Sequence, residues 1–198
     1  MKEFLTEWRR FLEEKEPKKK PKLLDVPDIR QFNDYSCGSA SLLAILSFYD
    51  LYEKNEKELS KELNTNSQDG TSLAKIKEVA KKHGLNCRVK ENTDISELKK
   101  SINAGNPVIL NFQAWSDEKS PKWEKDWKDG HYAVLIGIDE KTLYIRDPSL
   151  YNKVGIVSID EFMKRWHDVG SDSSKKLHNV AIFFSGEKEK QDKFEKIR

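Results

Sequence analysis

Phe4, Leu5, Trp8, Phe11 and Leu12 recur at the spacing of one helical stripe, with Glu7, Arg9, Arg10 and Glu13 on the remaining face. That pattern predicts an amphipathic first helix, docked on the domain's own flank, in a partner's groove or on a membrane surface. Glu7 and Glu13 weigh against the membrane. Residues 16–22, Glu-Pro-Lys-Lys-Lys-Pro-Lys, read as an extended linker, because prolines break helices and like charges repel. The folded unit is therefore expected to begin at residue 23, giving segments 1–22, 23–186 and a charged tail over 187–198. Residues 23–26 look extended, and a turn-rich stretch leads to Ser36, which can cap a helix over 37–51. Further helices are predicted over 56–63, over 72–83 before Gly84, and over 95–103 before Gly105. The period then changes to two: residues 107–112, 131–139, 142–147, 154–159 and 179–184 read as strands, with a short helix over 160–167. A helical first half and an antiparallel sheet second half make an α+β class, with a cleft where the halves meet.

The chain has 198 residues, enough for one medium domain with extensions. Lys and Arg number 36 against 34 Asp and Glu, so no strong field exists to hold a polyanion, which weighs against nucleic acid as a partner. No run of about 18 apolar residues could form a transmembrane segment, and the first residues lack the apolar stretch of a secretory signal, so a cytoplasmic location is expected. Two cysteines, Cys37 and Cys87, are then read as reduced thiols. Strand alternation puts Cys87 with Leu85 and Val89 on an apolar face, which is a core placement.

Cys37 is different. A cysteine attacks as thiolate, and the first turn of a helix, with its dipole and unpaired amides, favours that form. Gly38, Ser39 and Ala40 follow, small residues that leave room for a substrate carbonyl. Partners must decide the matter, since a lone cysteine before small residues also occurs in plain cores. His131 opens a strand, in Gly130-His131-Tyr132-Ala133-Val134, after a long polar loop. Asp147 closes the next strand, in Tyr144-Ile145-Arg146-Asp147-Pro148. A hairpin register pairing Ile138 with Thr142 sets Asp147 diagonal to His131 on one face, about 7 Å away. There Asp147 can orient the imidazole and stabilise its charged form. His83 stands at a helix end and His178 on a lysine-rich loop, and His167 remains open. No His-Glu-x-x-His or paired-cysteine spacing points to a metal, and no organic cofactor is called for.

These residues resemble the papain-like cysteine peptidases of family 39, which process bacteriocin leader peptides, and their free-standing relatives. The resemblance spans roughly residues 23–185 and rests on Gln31 six residues before Cys37, the Cys37-Gly38-Ser39-Ala40 helix start, the strand at His131 and Ile145-Arg146-Asp147-Pro148. It implies a papain-like fold, with Cys37 as nucleophile, His131 as base, Asp147 as orienting acid and Gln31 as oxyanion donor. Ser36 and Ser39 depart from the family, which often has Asp and Pro there. Neither departure removes a catalytic group.

The insertion over residues 113–129 carries Trp115, Trp123 and Trp127 and leads into His131, so it should border the cleft as a lid, a peptide-binding wall or simple packing. Gly38, Gly130 and Trp115 are the residues expected to face substrate. The leading function is thiol-dependent hydrolysis of a peptide bond in a peptide or protein substrate, through an acyl-enzyme, after small residues such as Gly-Gly. Acyl transfer, and a non-hydrolytic peptide-binding or regulatory module on the same fold, are the alternatives.

Overall fold

The computed structural model describes residues 21–170 and 175–187. The predicted first helix, most of the linker and the tail beyond residue 187 lie outside the described residues. Three helices come first: α1 (Cys37–Phe48), α2 (Glu56–Glu62) and α3 (Leu73–Lys82). α1 is buried almost all round, as its unbroken run of apolar and small residues requires. It ends at Phe48, short of the predicted Leu51, because Asp50 turns to a φ of +56°. α2 opens on a capping box in which Asn55 accepts from the Glu58 amide and Glu58 accepts from the Asn55 amide. Ser72 caps α3, accepting from the Lys75 amide.

Strand β1 (Asn86–Lys90) follows, then α4 (Ile95–Asn103), whose first turn is capped by Asp94. The remaining strands are β2 (Val108–Gln113), β3 (Gly130–Ile138), β4 (Thr142–Arg146), β5 (Gly155–Ser158), β6 (His167–Val169), β7 (Lys176–His178) and β8 (Ala181–Ser185), with α5 (Ile159–Arg165) before β6. Six of them form an antiparallel sheet in the order β1-β8-β2-β3-β4-β5, and β6 pairs with β7. The helix predicted over 160–167 stops at Arg165, and His167 begins a strand instead. β6 and β7 are three residues each, too short to show a period.

Alternation along β3 divides the core. Val134 and Ile136 face α1 to α3, packing with Leu42, Ile45, Leu46, Leu59 and Ile76. Ala133 and Leu135 face α4 and α5, packing with Leu98, Ile102, Phe162 and Trp166. Each fully buried Leu or Ile contributes about 1.5 to 3 kcal/mol of transfer free energy. With helices on both faces, β2 is buried at every position.

The β3–β4 hairpin corrects the predicted register at its tip. Ile138 stands opposite Leu143 rather than Thr142, because the Asp139 carboxylate accepts from the Lys141 and Thr142 amides and closes a tighter turn. A bulge between Leu135 and Gly137 then slips the ladder by one, so Val134 stands opposite Arg146. From there toward the open end the register is the predicted one.

Candidate active site

Cys37, half-buried, is the first residue of α1. Ser36 does not cap the helix as predicted. Its hydroxyl turns back and accepts from the Phe32 and Asn33 amides, at 3.1 and 3.2 Å, folding the loop that enters the site. Ser39 donates to the Ser36 carbonyl at 2.9 Å, and its hydroxyl also joins the buried Glu56 carboxylate and Ser60. The two residues that depart from the family pattern therefore belong to one polar network behind the thiol. Gly38 is buried: a Cβ there would lie 2.7 Å from the Thr71 Cβ and 3.2 Å from the Tyr132 ring. Its missing side chain lets α1 pack tightly against Thr71 and β3.

His131, at the start of β3, is buried beside the Phe112 ring. Its Nε2 lies 2.9 Å from Asp147 Oδ1. Burial works against a charged imidazole here. The hydrogen bond to Asp147, with the influence of the neighbouring Cys37 and Asp147, outweighs it and pushes the pKa up to about 10. Asp147 is buried too, which favours its neutral form. Bonds from His131, the Ser149 amide and the Trp115 indole overcome that and hold its pKa below the ordinary carboxylate value.

Trp115 donates its indole N–H to Asp147 Oδ2 at 3.1 Å while its side chain stays 54% exposed. Its φ of +61° is a left-handed conformation that costs an L residue about 1 kcal/mol or more. The first tryptophan of the Trp-rich loop thus touches the acid directly, a contact that spacing alone could not reveal.

Gln31 stands beside Pro148 and Ser149, next to Asp147, because the segment before it is strapped to the sheet. The Leu24 amide donates to the Ile136 carbonyl, Arg146 Nε to the Val26 carbonyl, and the Gln31 amide to the Pro148 carbonyl. Its side chain accepts from Ser149 at 3.1 Å and donates to the Asn33 carbonyl at 2.9 Å. A side-chain amide has two N–H groups, so one donor is left over.

The cleft at Cys37, of about 600 Å³, is lined among others by Thr71, Trp127, Gly130, Tyr132 and Asp168. The Trp-rich loop borders it through Trp127, whose ring stacks on His167, whereas Trp123 packs under the Arg165 guanidinium. His167 is committed elsewhere, its Nε2 2.6 Å from the Asp126 carbonyl, and His83 pairs with Glu62. Cys87 is a core residue opposite Phe184, and burial pushes its thiol up to about 11. Asp168 was not singled out from sequence. Burial raises its pKa, while donors from Asn111, the Val169 amide and Gln113 oppose that rise.

The fold matches several solved structures. A crystal structure described as a C39-like peptidase from Bacillus anthracis shares 21% identity over 86% of this chain and all of its own, with a TM-score of 0.64. A double glycine motif protease from an AMS/PCAT transporter, in complex with the leader peptide, shares 20% over 83% and 96%, with a TM-score of 0.58. The peptidase domain of Streptococcus ComA, a bi-functional ABC transporter involved in quorum sensing, shares 24% over 80% and 97%, at 0.59. A search of curated proteins gave no match. The sequence pattern of one family fits residues 23–174, most of the chain, and on that ground the protein belongs to the Peptidase_C39 like family.

Proposed function

We propose that this peptidase-family protein cleaves peptide bonds by covalent thiol catalysis, with residues 23–186 as the catalytic unit. The observation that carries the reading is the buried His131–Asp147 hydrogen bond at the start of β3, with Cys37 near enough to act on the imidazole. In the proposed reaction the Cys37 thiolate attacks the carbonyl carbon, and the resulting oxyanion is held by the free N–H of Gln31. His131 passes its proton to the leaving amine, so the C–N bond breaks and the acyl group stays on sulfur. Water then attacks the thioester, His131 takes the water proton, and the carboxylic acid product leaves a thiolate beside an imidazolium. Asp147 keeps the ring in the working tautomer throughout.

The finer specificity is a preference for small residues before the cut, Gly-Gly above all. The fold shared with a double glycine motif protease supports it. The reading also places the chain in the cytoplasm, where Cys37 and Cys87 stay reduced. Among the described residues no helix is long and apolar enough to cross a membrane.

Labelling with a thiol-directed probe, followed by mapping of the modified residue, tests the nucleophile; a peptide library read by mass spectrometry tests hydrolysis. The expected result is modification at Cys37 and turnover lost in Cys37→Ala. Modification confined to Cys87, or turnover surviving in Cys37→Ala, would sink the assignment.

A further inference from the structure

Beside the thiol the cleft holds a carboxylate that the reaction above does not use. Asp168, on β6, packs directly over Gly130, where a Cβ would come within 2.7 Å of its Cγ. It lines the same cleft as Cys37. Tyr132 lines it too, and its hydroxyl pKa is raised by burial first and then by the charges of Asp168 and Cys37.

The groups that fix Asp168 are unusual. Asn111 and Gln113 sit on β2, the strand buried at every position, where an amide side chain costs stability unless it is fully hydrogen-bonded. Asn111 Nδ2 donates to Asp168 Oδ2 at 2.6 Å, Gln113 Nε2 to Oδ1 at 3.2 Å, and the Val169 amide to Oδ1 at 2.8 Å. Gln113 is itself anchored, accepting from the Asp129 amide and donating to the His167 carbonyl. Two core amides thus aim a carboxylate at the cleft. All three donors are neutral, and among the described residues no lysine or arginine forms an ion pair with it. The cleft's own cations are Lys128 and Lys175, and Lys175 pairs with Glu91. A rigid, partly desolvated carboxylate held by neutral donors gains more from a cation than a freely solvated one does.

We propose that Asp168, resting on the reading of this cleft as a peptide site, is a specificity residue that binds a cationic group of the substrate, an ammonium or guanidinium, close to the scissile bond. Asp168 also pins β6 to the sheet, since both its oxygens accept and an amide in its place would turn an NH2 group toward one of those donors. The donors are neutral, so the charge itself is left for a cation.

The test measures binding apart from turnover. In the Cys37→Ala protein, peptides of one sequence carry lysine, acetyl-lysine or norleucine at each of three positions on either side of the cut. A further pair differs only in a free or acetylated N-terminus, which separates a side-chain cation from an α-amine. At one position the cationic peptide should bind about ten-fold tighter than its neutral partners, the scale of one charge-assisted hydrogen bond in a partly screened site. The side-chain amide signals of Asn111 and Gln113 should shift only with the cationic peptide, a readout that holds even where a variant misfolds. In Cys37→Ala/Asp168→Asn the preference should collapse to about one. A cationic preference at no position, a preference that survives Asp168→Asn, or unmoved amide signals would each overturn the proposal. Absence of turnover by the unmodified protein, with cationic preference intact, would overturn the hydrolytic reading instead.

Discussion

His131 and Asp147 are 2.9 Å apart because β3 carries a bulge between Leu135 and Gly137. Continued without the bulge, the tip register would set Asp147 opposite Val134, on the face that α1 covers. The one-residue slip moves it opposite Ala133, onto the face from which His131 projects. A local irregularity therefore decides whether acid and base can meet.

That meeting has a titration signature. With a pKa near 10, the His131 imidazolium adds its full stabilisation below about pH 6.5, the unfolded value, and loses it as pH rises through about 10. Asp147 behaves oppositely: its contribution is present above about pH 4 and is lost as pH falls through its lowered value. Histidine NMR should show His131 still protonated at pH 8. Cys37→Ala and Asp147→Asn should each move its titration downward, since each removes a charge that raises it. A titration near pH 6.5 in the unmodified protein would contradict the assignment.

Trp115→Phe keeps an aromatic ring at residue 115 but removes the donor to Asp147 Oδ2. Turnover should fall about ten-fold, the worth of a hydrogen bond to a charged group, and mainly in kcat. The indole is one of the influences that lower the Asp147 pKa, so the acid limb of the pH profile should move to higher pH. A change confined to KM, with the limb unmoved, would make Trp115 a substrate contact instead.

Gln31→Ala should lower kcat by about 10² or more, comparable with losing one oxyanion donor. Alkylation of Cys37 forms no tetrahedral oxyanion, so its rate should persist. Equal losses in both assays would mean that the Ser149 and Asn33 contacts of Gln31 merely hold the loop in place.

The helices α2, α3 and α4 were legible to within a residue because caps and glycines mark their ends: Asn55, Ser72, Asp94, Gly84 and Gly105. The strands β2 to β5 and β8 were legible from period two. The Cys37 helix start was legible too, although Ser36 bonds to the entering loop instead of capping it, and so were the strand that opens at His131 and the one that ends just before Asp147. The bulge was not legible, since nothing in Leu135-Ile136-Gly137 fixes which residue is left unpaired. Neither was Asp168. It lies in a three-residue strand without a period, and its partners Asn111 and Gln113 read as two polar interruptions of an apolar strand until the fold brings them 57 and 55 residues away to one carboxylate.

The packing of Asp168 over Gly130 gives a separate test of that region's geometry. A methyl group at residue 130 would enter the space held by the carboxylate, its carbon 2.7 Å from Cγ, where Asn111, Gln113 and Val169 leave the acid little room to retreat. Gly130→Ala should therefore destabilise the fold by about 1 to 3 kcal/mol, the range for overpacking. Asp168→Ala alone should also destabilise, because it strands the buried donors on β2, by about 1 to 3 kcal/mol. The double variant should be more stable than the sum of the two losses implies, since removing the carboxylate makes room for the methyl group. Urea unfolding of the four proteins gives the coupling, expected at about 1 kcal/mol or more in the relieving direction. Strict additivity would mean that residue 130 and the carboxylate do not touch.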